Sequence, residues 1–80
     1  MTAGQSAIAA HAEVLRADAQ ILTACAERLR AIEAALEAAG AAPPWLRAAV
    51  RTHHAACVTA AADLRTAVRH LSAYAERTNL

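Results

Sequence analysis

Large aliphatic side chains return every seven residues along the first half of the chain, at Ile8, Leu15, Leu22, Leu29 and Leu36. Val50, Cys57, Leu64 and Leu71 repeat the interval in the second half. A seven-residue apolar period is the mark of helices that coil around one another. The pattern breaks once, at Gly40-Ala41-Ala42-Pro43-Pro44. Glycine suits the position just past a helix end, and proline suits the first turn of the next helix. The spacing therefore predicts a first helix over about 2–39, a turn at 40–43 and a second helix over about 44–77, all within one domain spanning 1–80. Each helix would be ~50 Å long at 1.5 Å per residue. So short a connection forces the two to run antiparallel.

The two rows also match each other. In an antiparallel hairpin, residues at one height share a constant index sum. Leu36 with Val50, Leu29 with Cys57, Leu22 with Leu64 and Leu15 with Leu71 all sum to 86, so the chain folds back at residue 43, inside the predicted turn. Heptad phase and turn chemistry agree, and such agreement across levels is what specifies a fold. The second row of the first helix reads His11, Asp18, Cys25, Ile32, and beside it runs Ala12, Ala19, Ala26, Glu33. In the second helix the flanking rows are Leu46, His53, Ala60, Ala67, Tyr74 and Arg47, His54, Ala61, Val68, Ala75. Small residues on both helices favour a close approach of the backbones.

Composition sharpens this picture. The chain holds 26 alanines, no phenylalanine and 15 Leu, Ile and Val together, with aromatics at 2%. Alanine is the best helix former and is depleted from strands, so a sheet is excluded and the class is all-α. The first helix carries a second apolar side. Ala10, Ala17, Ala24, Ala31 and Ala38 form an unbroken alanine column, with Ala7, Val14, Ile21 and Ala35 next to it. On a helical wheel this stripe lies roughly opposite the leucines, and one partner helix cannot cover both sides. The antiparallel two-helix hairpin is therefore expected to pair into a four-helix bundle. The pairing is a homodimer or a heterodimer with another hairpin, through Ala10, Val14, Ala17, Ile21, Ala24 and Ala31.

Charge and cysteine usage narrow the class of role. Eight Arg against seven acidic residues leave a net charge of +1, and the two signs are interleaved. A nucleic-acid binder shows a basic stripe instead, so no nucleic-acid partner is expected. The uncharged stretch Thr52–Ala62 contains two histidines and is too short to cross a bilayer. The start, Met1-Thr2-Ala3-Gly4-Gln5-Ser6, lacks a basic segment followed by an apolar run. A cytoplasmic location, or export by a route other than Sec, is expected. Cys25 and Cys57 stand at apolar positions far apart in sequence, which suits reduced thiols better than a disulfide framework.

Several residues invite a chemical reading. His53 and Cys57 are four apart on one helical face, as metal ligands on a helix often are, and Cys25 stands on the opposite helix about one turn away. The set lacks an evident fourth ligand, so a structural role as core fillers competes with a metal site, and no cofactor is expected. Asp18 and His11 fall on the seam side. A buried acid needs a partner, so Asp18 is expected to pair with His70 or Arg69 and His11 with Tyr74. Trp45, directly after Pro43-Pro44, has two readings: a plug over the end of the hairpin core, or an exposed docking anchor of the kind that carries binding energy. Gly-rich phosphate loops and nucleophile elbows are missing, and the chain is not expected to be an enzyme.

Two long antiparallel helices, a tryptophan at the turn and Tyr74 near the end of the second helix resemble the WXG family of type VII (ESX) secretion substrates. The resemblance implies an alanine-rich hairpin that pairs, often as a heterodimer, into a four-helix bundle. The turn reads Trp45-Leu46-Arg47 where that family has Trp-x-Gly, and Tyr74 is followed at four residues by Thr78 where the family's export signal has an acid. A non-exported partner of a secreted chain fits these departures better than a substrate. The expected function is thus a non-enzymatic protein–protein interaction module, a type VII secretion-associated substrate or partner. The alternatives are a small metal- or ligand-binding bundle using Cys25, His53 and Cys57, and a cytosolic regulatory bundle.

Overall fold

A computed structural model describes residues 2–78. Thr2 starts the first helix from an extended conformation, φ −81° and ψ 164°. Its hydroxyl accepts a hydrogen bond from the Gln5 backbone N–H at 3.1 Å, and its own N–H donates to Gln5 Oε1 at 2.7 Å. This reciprocal capping box satisfies two amides that a helix start leaves without partners. Helix α1 then runs Ala3–Ala39. It stops at Gly40, whose φ of 71° is left-handed and whose N–H donates to the Leu36 carbonyl at 3.3 Å. A Cβ on Gly40 would meet nothing within 4 Å. Glycine is needed there for its backbone angle and not for space. The Pro43 carbonyl accepts from the N–H groups of Leu46 and Arg47 at 3.1 and 3.3 Å, and helix α2 runs Pro44–Thr78.

The two helices pack against each other along their length as a hairpin. Four cross-helix side-chain links set the register: Glu37–Arg47, Glu33–Arg51, Thr23–Arg65 and Gln5–Thr78. Their index sums run from 83 to 88 around the 86 of the leucine rows. The spread is what long side chains reaching up or down a turn allow.

The result is a rod of 60 × 13 × 12 Å, measured on Cα atoms, with a radius of gyration of 17.9 Å. A compact chain of this length would have a radius near ~12 Å. Two straight parallel helices would be only ~5 Å deep in their thin direction, twice the Cα radius of a helix. The 12 Å observed shows that the pair is not planar along its length.

The core is thin. Its buried apolar residues are Ala12, Ala19, Ala26, Ala61 and Val68. The leucines Leu15, Leu22, Leu29, Leu36, Leu64 and Leu71 are only half-buried. Alanine lies deepest because a methyl group lets the backbones come together, and whatever stands at the point of closest approach is sealed by them. The longer leucines lean out along one edge of this contact, where only one side is covered.

Candidate interaction face

Burial fixes the rotational phase of each helix. In α1 the inner pair of columns is Gln5, Ala12, Ala19, Ala26, Glu33 and Ile8, Leu15, Leu22, Leu29, Leu36. In α2 it is Arg47, His54, Ala61, Val68, Ala75 and Val50, Cys57, Leu64, Leu71. Alanine meets the small column across the seam and leucine meets the large one, so the two long sides of the rod differ.

On the alanine side, polar side chains cross the groove. Glu37 Oε2 accepts from Arg47 Nη1 at 3.5 Å, Glu33 Oε1 from Arg51 Nε at 3.2 Å, and Thr23 Oγ1 from Arg65 Nη2 at 2.6 Å. Glu13 and Arg16 pair within α1. A shallow open groove of ~230 Å³ lies here, bordered by Thr23, Glu27, Arg30, His54, Val58 and Arg65. The exposed ion pairs contribute little stability, about 0–1 kcal/mol each, but they leave this side polar.

On the leucine side no side-chain hydrogen bond links the helices among the described residues between Ile8 and Leu71. The half-exposed leucines are flanked in α1 by His11, Asp18, Cys25 and Ile32, and beyond these by Val14, Ile21 and Arg28. Ile21 is 61% exposed, Val14 57% and Ile32 46%. Ala10, Ala17 and Ala31 on the back of α1 are exposed as well, and Ala24 is half-buried. The folded chain keeps 5536 Å² of accessible surface. A compact monomer of this mass is expected to expose about 4,600 Å². The excess of roughly 900 Å² is comparable to the ~800 Å² that each partner buries in a standard interface.

No family model, curated protein or solved structure matches the chain.

Several sequence expectations change in the folded chain. His11 and Asp18 are exposed and do not face the seam. The inner place goes to the neighbouring column of Ala12, Ala19 and Ala26. Burying a carboxylate and an imidazole would cost their hydration, and rotating the helix by one column avoids that cost. No ion pair of Asp18 with Arg69 or His70 and no hydrogen bond between His11 and Tyr74 forms among the described residues. Gln5 ties the open end instead. It is buried, and its Nε2 donates to Thr78 Oγ1 at 3.2 Å. The spacing Thr2-x-x-Gln5 carries the capping-box signal that would have found it. Trp45 is 71% exposed, so it does not plug the core at the turn.

Cys25 and Cys57 are free and half-buried, and His53 is exposed. Cys25 Sγ accepts a hydrogen bond from Arg28 Nη2 at 3.3 Å, which turns it towards the outer stripe of α1. No group of three or more His, Cys, Asp or Glu side chains placed to hold a metal ion occurs among the described residues. No helix among them is long and apolar enough to cross a membrane.

Proposed function

We propose that the chain acts by contact and not by catalysis: it is a helical hairpin that docks against another hairpin, its own copy or a related chain, to close a four-helix bundle. The observation that carries this reading is the outer stripe of α1, where Val14, Ile21 and Ile32 stand exposed beside leucines that α2 covers only in part. Apolar positions at such regular helical spacing suit a second helix better than they suit water. The excess of exposed surface supports the same reading. The exposed Trp45 at the turn and Tyr74 near the far end support the narrower proposal of a type VII secretion-associated substrate or partner. Such a chain would leave by a non-Sec route or remain in the cytoplasm with its partner.

Sedimentation equilibrium tests the general reading. A mass above the 8.3 kDa of one chain, either alone or on mixing with a second purified helical hairpin, is the expected result. A fully helical, cooperatively unfolding chain that stays at the mass of one chain in both situations would overturn it.

A further inference from the structure

The proposed docking does not say which hairpin fills the open side, or in which direction. The outer stripe of α1 answers both, and the inference rests on the interaction-module reading above. We infer that the occupant is a second copy of this chain, with α1 packed antiparallel on α1 about a twofold axis at the level of Thr23.

The outer stripe of α1 is complementary to itself. The stripe runs along α1 in alternate steps of three and four residues and holds one acid and one guanidinium, Asp18 and Arg28. Both are exposed, and neither has an ion-pair partner among the described residues. In an antiparallel pair of identical helices, levels match when residue numbers have a constant sum. A sum of 46 places Asp18 opposite Arg28 of the second copy, twice by symmetry. The same sum, with nothing further adjusted, places Val14 opposite Ile32 and Ile21 opposite Cys25. Three of the four facing pairs match in kind, charge to opposite charge or apolar to apolar, and the fourth sets His11 opposite Ala35. A parallel arrangement would set Asp18 against Asp18.

The flanks match in size. The twofold sets like flank beside like flank, the leucine column of one copy along that of the other with Leu22 next to the axis, and the back alanine column along its counterpart. Those leucines are the ones the hairpin leaves half-exposed. The area is adequate, since the surplus surface of this rod is about what one partner of a standard interface buries. The contact is assigned to α1, whose outer stripe carries the exposed Val14, Ile21 and Ile32.

Charge exchange tests this directly. Purified wild type is expected to sediment at twice the 8.3 kDa chain mass. Asp18→Arg and Arg28→Asp, taken singly, each create two like-charge contacts per dimer and should raise its dissociation constant about tenfold or more. Mixing the two single variants restores both pairs and should return the dimer mass, and the double variant Asp18→Arg/Arg28→Asp should dimerise as wild type does. Recovery on mixing also covers the case in which a single variant does not fold alone. A wild type that stays helical at the mass of one chain overturns the second copy as occupant, while leaving a different hairpin open as partner. A dimer indifferent to both exchanges, or one that neither mixing nor the double variant restores, overturns the antiparallel α1 contact and leaves the interaction module standing.

Discussion

Two apolar stripes run side by side along α1, and they have met different fates. The inner one, built from Ala12, Ala19 and Ala26 with the leucines next to them, is covered by α2. The outer one, Val14, Ile21 and Ile32 with the alanines of the back, faces solvent. The helical spacing is the same in both, but the outer stripe also carries Asp18 and Arg28. The difference is that the hairpin supplies one partner helix, which covers the inner stripe and leaves the outer one exposed.

That contrast can be broken at matched positions. Ala19 is 1% exposed, and Ala19→Leu would force three extra carbons into the closest point of the hairpin. Its cost should be about 2–3 kcal/mol, within the range for overpacking a core, read as a lower urea midpoint. Ala17→Leu, two residues away on the outer side, should cost the hairpin less than about 0.5 kcal/mol while weakening association. Equal destabilisation by the two would erase the distinction between stripes.

Leu22→Ala removes a leucine that is half-buried, so its cost should fall at about 2 kcal/mol, the low end for such truncations. Ile21→Ala, its immediate neighbour on the outer stripe, should leave unfolding of the single hairpin within about 0.5 kcal/mol of wild type. An effect smaller than that of Leu22→Ala is expected at the turn. Gly40→Ala places a Cβ in left-handed backbone, at a cost of about 1 kcal/mol, and it should lower stability without touching association. The least effect belongs to the polar side, where Glu33→Gln breaks the exposed contact with Arg51 and should cost under about 0.5 kcal/mol, vanishing in high salt.

The hairpin was legible in the sequence for simple reasons. Seven-residue spacing and the Gly40–Pro44 break are local signals, and each has a single structural meaning. The choice of inner column was harder to read. Beside the leucines of α1 stand two candidate columns, one with His11, Asp18, Cys25 and Ile32 and one with the alanines. By size the first would fill a seam better. The alanines win because they allow close approach and leave Asp18 and His11 in water, a balance of desolvation against contact that periodicity does not encode. Trp45 was ambiguous for a similar cause: a large aromatic after two prolines can turn either way, and here it stands 71% exposed. The chemistry suggested by His53, Cys57 and Cys25 needed three side chains on two helices to converge, and four-residue spacing on one helix says nothing about the other.

The central claim is that the open side of α1 is closed by a second chain, and the concentration dependence of thermal unfolding tests it most directly. Association with the folded state adds stability by mass action. The midpoint followed by circular dichroism should climb steadily over a hundredfold rise in chain concentration, and the climb should shrink in Asp18→Arg. A midpoint that stays constant across that range, in a chain whose mass is that of one hairpin, would contradict the account.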